Sequence, residues 1–502
     1  EPTQLNNKDL LKIEEQNRDE LLRDESYSFL YPSLDDPLFN AKIAQRKEFH
    51  DTRYEKQSFS DSIEEISDKL CNADVEMAPH QMFVRNFLSF NTPYNGLLLY
   101  HGLGSGKTCS AISVAEEMRT YLNQMGISQR IFVVASPNVQ DNFKLQLFDE
   151  RKLQLVDGLW NIRACIGNKF LSEINPMNMK GVPRDKVIAQ IKQIISSSYH
   201  FIGYVEFANY VSRKSEVDSD MSEASKEKIM KKRLARLFKN RLIIIDEVHN
   251  IRMTDDNSDK KVATELMKLV KNVQHMRLLL LSATPMYNSY KEVIWLLNLL
   301  NINDGRASIS VKDVFNSDGS FKMTDDGEEI GKNLLIRKAT GYVSFVRGEN
   351  PYTYPFRVWP NEFAEKKNIS KGHVPKVQMN GMAIISGLEH LSVFLCDTGA
   401  VQQKGYDYII DQLKKDVGAD PKRTLPSFEN MDGFGYTILQ RPLEALNIVY
   451  PDSRLGQSDF DPKELVGKAG LSRITKFRES KSPIFIGEFE YRTPGYGNIF
   501  SP

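Results

Sequence analysis

The sequence is short of cysteine, of long apolar runs and of any excess of one charge. Four cysteines in 502 residues, Cys71, Cys109, Cys165 and Cys396, stand far apart, with no Cys-x-x-Cys pair and no Cys/His cluster. That argues against a disulfide framework or a structural zinc site and fits a reducing intracellular environment. No apolar stretch approaches the roughly 20 residues of a membrane-spanning helix, and no signal peptide opens the chain, so no membrane partner is expected. Lys+Arg and Asp+Glu number 66 each. No global basic field therefore advertises nucleic-acid binding, although local patches stay open. What the chain does have is 41% hydrophobic residues, over a length that suggests roughly two to four compact units. Its first residue is Glu1 rather than Met, and it is expected to be a fragment of a longer protein.

The strongest local signal is Gly96 to Ser110, GLLLYHGLGSGKTCS. An apolar run, Leu97-Leu98-Leu99, enters the turn Gly102-Leu103-Gly104-Ser105-Gly106, and Lys107-Thr108 open a helical pattern from Cys109 to Met118. Strand, glycine turn and helix start are the context of a phosphate-binding loop. Glycines let backbone N–H groups crowd round a phosphate, Lys107 places a charge on it, and Thr108 offers a hydroxyl to Mg²⁺. The strict pattern wants a glycine where His101 stands. Cys109 closes the candidate nucleotide-binding set as a small packing residue rather than a nucleophile.

Around this loop the chain reads as follows. Residues 1–74 form an arm, charged but with recurrent aromatics and a short amphipathic helix over Leu10 to Leu22. Gln81, in the helical run Pro79 to Val84, carries an amide that could bond both edges of adenine; by spacing alone it is an ordinary helix-start residue. Arg130 to Pro137 is a β-branched strand closing on a Ser-Pro turn. Ser136, Pro137 and Asn138 at its end either meet a nucleic-acid phosphate or cap the next helix, and the two readings weigh evenly. His200 to Tyr204 is a further strand. An insertion over residues 212–240 ends in a basic helix, Lys226 to Lys239, whose charges read as a solvated face before a nucleic-acid contact.

Leu242-Ile243-Ile244-Ile245 has the continuous apolar character of a strand buried on both faces, and it delivers Asp246-Glu247-Val248-His249 at its end. In an open parallel sheet ligands bind at that edge. Two adjacent carboxylates are not buried cheaply without a cation. Asp246 is therefore expected to hold Mg²⁺, with Thr108, while Glu247 polarises the attacking water. Arg277 to Leu281 is a third strand, leading into Ser282-Ala283-Thr284-Pro285, whose hydroxyls could relay nucleotide state together with His249.

In the order found, Gly104-Ser105-Gly106-Lys107-Thr108, Asp246-Glu247-Val248-His249 and Ser282-Ala283-Thr284 resemble motifs I, II and III of superfamily-two helicases, whose shorter GxGKT loop accommodates His101. Gln81 falls where their Q-motif glutamine is expected, and Val134 to Asn142 is similar to motif Ia in a Swi2/Snf2-like style. LLLYHGLGSGKTCSAI, LSATPMYNSYKEVIWLLNLLN and GYVSFVRGENPYTYPFRVWP further resemble Swi2/Snf2-type DExH helicases of large nucleo-cytoplasmic DNA viruses, a group that includes the small subunit of the poxvirus early transcription factor. That resemblance implies an ATPase with Mg²⁺ that works on duplex DNA through its backbone, beside a viral RNA polymerase or early transcription factor subunit, in the virion and host cytoplasm.

The expected fold is α/β: a RecA-like parallel sheet flanked by helices over residues 75–303, a P-loop NTPase lobe, then a mixed α+β accessory region over 304–502. No Q-x-x-G-R-x-x-R pattern is present, so a second lobe with its arginines is expected beyond this stretch, and the fragment alone should hydrolyse ATP poorly. In the accessory region Lys332 to Arg347 and Phe434 to Leu439 read as strands, Tyr406 to Leu413 and Pro462 to Phe477 as helices. Arg347 and Arg357 with their aromatic neighbours read as packing elements before nucleic-acid contacts. Two rivals stand beside the translocase: an ATP-binding scaffold of a viral transcription complex, and a small-substrate P-loop kinase, which the Asp-Glu-x-His and Ser-Ala-Thr pairing disfavours.

Overall fold

The computed structural model describes residues 6–23, 31–54, 77–217, 222–251, 261–287 and 289–347, then 358–363, 394–418, 436–452, 460–479 and 487–492, with a few isolated positions besides. Two compact units result, Glu1–Pro355 and Phe356–Pro502. The Asn350–Pro355 loop, Arg357 and Cys71 lie outside the described residues.

In the first unit the helix α1 (Asn7–Arg23) precedes α2 (Pro79–Phe87), which leads to β1 (Gly96–His101) and α3 (Lys107–Gln124). Next come β2 (Ile131–Val134), α4 (Pro137–Leu147), the hairpin β3 (Leu153–Val156) and β4 (Leu159–Ile162), α5 (Lys169–Ile174), α6 (Arg184–Ser198) and β5 (Tyr199–Ile202). Helices α7 (Tyr204–Ser215) and α8 (Glu223–Phe238) lead to β6 (Leu242–Ile245), α9 (Lys261–Asn272), β7 (Arg277–Ser282), α10 (Glu292–Asn303), α11 (Ile330–Ala339) and β8 (Val343–Val346). Six strands make one sheet in the order β5-β2-β6-β7-β1-β8, and every pairing in it is parallel.

Parallel strands joined by helical crossovers are covered on both faces, which is why these segments are apolar throughout rather than alternating. Leu97, Leu99, Val133, Ile244, Leu279 and Leu281 enter one core with α3, α4 and α6. Leu98, Phe132, Val134, Ile243, Ile245, Leu278 and Leu280 enter the other, with α7 to α10. The fold is thus the expected α/β sheet flanked by helices. In the basic helix α8, Leu234 and Phe238 are buried and Met230 and Leu237 partly so, leaving its lysines outside the core.

One expected strand region is corrected. Over Lys332 to Arg347 the chain forms the helix α11 followed by the short β8. Leu334 and Leu335 pack on the cluster around Ile294 and Val314. Lys338, 0% exposed, lies one helical turn beyond Leu334, so the 3–4 spacing of inward groups prevailed over the apparent alternation.

Helix α1 straps this same region. Glu14 accepts the Ala307 N–H at 2.7 Å and the Lys338 ammonium at 2.5 Å, while Asn7 exchanges two hydrogen bonds with the Ser308 backbone at 3.0 and 2.9 Å. Burial pulls the Lys338 ammonium down to about 8, against the opposing pull of Glu14. Farther along, Phe39, Ile43 and Phe49 enter the first core, and the Tyr94 hydroxyl donates to the Pro32 carbonyl at 2.9 Å.

The second unit has its own small core, Ile409, Ala445, Val449, Phe460, Leu465 and Val466, built from α12 (Ala400–Gly418), α13 (Tyr436–Asn447) and the segment through α14 (Gly467–Ile474). Strands β9 (Thr475–Glu479) and β10 (Gly487–Tyr491) pair antiparallel. Here too a strand expectation fails: Tyr436 to Asn447 is helical, with Pro442 and Ala445 buried one turn apart. The helix expected over Pro462 to Phe477 is a 3-10 turn, then α14, then the start of β9.

Candidate active site

β1 ends on His101, which is fully buried. Its Nε2 lies 2.9 Å from the Ser344 hydroxyl of β8. Burial, with His80 and Lys107 close by, pulls its imidazole down to about 3, so the ring is neutral. A buried neutral ring at the strand end takes the place of the missing glycine and leaves the turn beyond it free. In that turn Gly104 and Gly106 both adopt positive φ, 77° and 75°, which L side chains reach only with strain. Gly106 is the N-cap of α3. A Cβ on it would stand 2.3 Å from Gln81 Nε2 and would displace that amide, so the positive φ is what favours glycine here while its bare α-carbon lets Gln81 come close.

The helix α2 is therefore locked to the loop. Gln81 Nε2 donates to the Gly106 carbonyl at 3.3 Å, and its Oε1 accepts the Ala78 N–H at 3.0 Å. Both ends of the amide expected to read adenine are engaged with backbone. His80 adds a contact that the sequence reading assigned no role, its Nε2 lying 2.8 Å from the Ser105 carbonyl. Lys107 is folded back, its ammonium donating to the carbonyls of His101 at 2.9 Å and Gly102 at 3.5 Å. Those bonds are replaceable by phosphate oxygens. Thr108 is the second residue of α3, where the positive end of the helix dipole and free N–H groups favour an anion.

β6 carries Asp246 to the sheet edge, where it is 5% exposed. Burial first, and then Glu247, push its carboxyl up to about 6, with the Glu247 N–H and Lys107 opposing. The Glu247 N–H donates to Asp246 Oδ1 at 2.9 Å, and that is too little to settle a buried charge beside another carboxylate. Hard oxygen groups such as the Asp246 carboxylate and the Thr108 hydroxyl are of the kind that suit Mg²⁺.

Glu247 itself has φ 48°. Among the described non-glycine residues with positive φ, the others are Asp157, Asn178, Asn240 and His275, types that tolerate this region, whereas glutamate does not. Such a conformation costs about 1–3 kcal/mol and persists where the surroundings impose it. Its carboxylate lies 3.3 Å from His249 Nδ1. The same nitrogen is 3.0 Å from the Ser282 hydroxyl, which in turn accepts the Thr284 N–H at 3.0 Å. Tyr287 stacks on His249 with ring centroids 5.5 Å apart. The segments Asp246–His249 and Ser282–Thr284 are one hydrogen-bonded unit.

Ser136, two residues past β2, is the N-cap of α4, without a side-chain cap bond. Pro137 and Asn138 follow, exposed, and Asn138 is inside the helix rather than its cap. Tyr204, expected at a strand end, instead opens α7, and its hydroxyl donates to the Asp246 carbonyl at 2.7 Å. Tyr204 and Tyr287 were not singled out in the sequence. The available signal was an aromatic within a few residues of a strand end, which is too common to act on.

One expectation is overturned. Cys109 and Cys165, 56 residues apart, form a disulfide with Cα atoms 5.2 Å apart. The hairpin β3–β4 and α5 fold back on α3, a tertiary return that sequence spacing does not reveal. The Cys109 side chain is therefore a cross-link rather than a free packing thiol, and the argument from unpaired thiols to a reducing environment loses its footing. Cys396 is free and exposed. No helix among the described residues is long and apolar enough to cross a membrane.

Comparison with known proteins gives a match to the SNF2-related domain over residues 80–337. A protein of Acanthamoeba polyphaga mimivirus named as an ATP-dependent RNA helicase is 25% identical over 351 residues, 65% of this chain and 28% of that protein. The early transcription factor large subunit homolog of African swine fever virus is 25% identical over 337 residues, covering 57% of this chain and 29% of its own length. The chain thus spans less than a third of the length of these curated relatives. Among solved structures, the SWI2/SNF2 ATPase core of Sulfolobus solfataricus in complex with dsDNA aligns at 14% identity with a TM-score of 0.33, over 80% of this chain and 64% of that one.

Proposed function

The chain belongs to the SNF2-related domain family, and from that premise we propose that it is the ATP-binding lobe of a nucleic-acid translocase that hydrolyses ATP with Mg²⁺ to move on duplex DNA in viral transcription. The observation that carries this reading is the buried Asp246, pushed up to about 6 beside Glu247 and in the field of Lys107. A buried carboxylate beside a second, partly exposed one, with only the field of Lys107 to offset it, fits an edge that receives a cation with its substrate.

Asp246 and Thr108 would hold Mg²⁺, whose chemistry there would be charge neutralisation on the phosphates of the nucleotide. Lys107 would exchange the carbonyls of His101 and Gly102 for phosphate oxygens. Gly104 and Gly106 turn backbone N–H groups toward the same anion. Glu247, held beside His249, would orient the attacking water and take its proton. The bond from His249 to Ser282 would pass the nucleotide state to the neighbouring strand end. Gln81 would have to leave the Gly106 carbonyl to read a base, so adenine recognition and loop geometry would be coupled. Duplex DNA would meet the backbone-binding edge at Ser136, Pro137 and Asn138. The transcription setting is supported by the name of the African swine fever virus relative.

The test is ATP hydrolysis by the full-length protein with and without duplex DNA. Lys107→Ala and Glu247→Gln should each lower DNA-stimulated turnover by about 10²–10⁴-fold. Turnover undiminished in both variants would overturn the proposal. ATP binding without any DNA-stimulated hydrolysis in the unaltered protein would favour the scaffold reading instead.

A further inference from the structure

In the sheet β5 and β6 are not neighbours, because β2 lies between them. Their ends are nevertheless joined. Backbone bonds run from the Ala135 N–H to the Ile202 carbonyl at 3.1 Å and from the Asp246 N–H to the Val134 carbonyl at 3.0 Å, which brings three strand ends into line. Tyr204, two residues past the end of β5, reaches across β2 and donates to the Asp246 carbonyl at 2.7 Å. Burial raises that phenol above its ordinary range.

The acceptor is significant. The Asp246 carbonyl belongs to the peptide that leads into Glu247, the residue held at φ 48°. Rotating that peptide would carry the Glu247 N–H off Asp246 Oδ1, where it now donates at 2.9 Å, and would move the Glu247 carboxylate away from His249. One phenol hydroxyl therefore fixes the peptide plane from which the Glu247 side chain is aimed.

We propose that Tyr204 is a positioning residue for Glu247, a strut that braces the Asp246–Glu247 peptide from the end of β5. Displacement at the β5 end reaches the water-orienting carboxylate through this side chain. This rests on the ATPase reading for its consequence, but not for its geometry, and two measurements keep them apart.

The first is amide hydrogen exchange of residues 246–250 in Tyr204→Phe, which keeps the ring and removes the hydroxyl. Exchange there should accelerate about tenfold, the loss expected for one hydrogen bond, while the amides of β1 and β7 keep their protection. Unchanged exchange at 246–250, or equal acceleration throughout the sheet, overturns the proposal whatever the enzyme does. The second is steady-state ATP turnover of the full-length protein with saturating duplex DNA. Tyr204→Phe should lower kcat about tenfold with the ATP KM within twofold, and should add nothing further in a Glu247→Gln background. An unchanged kcat, or a full additional loss in that background, removes Tyr204 from the path to Glu247. Accelerated exchange in a protein whose turnover ignores Lys107→Ala would leave the strut standing and sink the ATPase reading alone.

Discussion

Two buried carboxylates of the first unit lie in opposite circumstances. Glu116, midway along α3, is 2% exposed. It receives Arg119 through three contacts at 2.8–3.0 Å, Tyr199 at 2.6 Å and Lys169 at 3.5 Å, and Glu173 completes the set by taking the far side of Arg119 at 2.7 Å. Asp246, 5% exposed, receives one backbone N–H, lies beside a second carboxylate, and is only partly offset by the field of Lys107, which makes no ion pair with it. The first region carries its cations within the chain and is finished when the chain folds. The second lacks a bonded partner of that kind, and on the proposed function its counter-charge would arrive with the nucleotide. Under that reading equal burial serves structure in one place and function in the other, and a bonded internal partner is what tells them apart.

That contrast predicts different responses to the loss of a charge. Arg119→Met leaves Glu116 buried without its main partner and should cost about 3–5 kcal/mol of unfolding free energy, read from urea midpoints. Asp246→Asn removes an uncompensated charge and should leave stability unchanged or higher, although turnover is lost. If Asp246→Asn destabilised the sheet as much as Arg119→Met, the distinction would collapse.

Next in size is the disulfide, which ties the start of α3 to the turn ahead of α5 and so reinforces the Glu116 side. Its 56-residue separation corresponds to about 4 kcal/mol of loop-closure stabilisation as an upper figure. Reduction should lower the thermal midpoint, and Cys165→Ser should show the lower midpoint with no further response to reductant.

The smallest effect is a pH dependence belonging to Asp246. Its carboxyl is raised from an ordinary value of 3.8 to about 6, so the folded state holds the proton more tightly than the unfolded chain. The resulting stabilisation, roughly 3 kcal/mol at most, is fully present below pH ~4 and is lost as pH rises through about 6. Urea midpoints taken without Mg²⁺ should fall across that window in the unaltered protein and stay flatter in Asp246→Asn. Added Mg²⁺ should restore stability above pH ~6. Identical profiles for the two proteins would show that the Asp246 carboxyl titrates normally.

What could be read from the sequence was local. The Gly102–Thr108 loop, the apolar β6 and the Ser282–Thr284 turn each announce themselves within a dozen residues, and a parallel sheet follows from strands without polar alternation. Pairings that the chain makes across long distances left no such trace. The Cys109–Cys165 bond, the reach of Tyr204 over β2 and the contact of His80 with Ser105 are all consequences of packing. The misread segments fail for a related reason. In Lys332 to Arg347 and Phe434 to Leu439 short apolar runs fit either period, and only the neighbours, Glu14 for Lys338 and Ile409 for the turn beyond Pro442, decide which one is realised.

The strap formed by α1 sets an order of events during biosynthesis. Glu14 and Lys338 are 324 residues apart, and at ribosomal rates of roughly 5–20 residues per second the carboxylate leaves the ribosome roughly 15–65 s before its partner. Through that interval α1 has no dry site to enter, because Ala307 and Lys338 have not yet been made. Helix α1 is thus among the later elements of this unit to dock, after the chain as far as α11 has been made and packed.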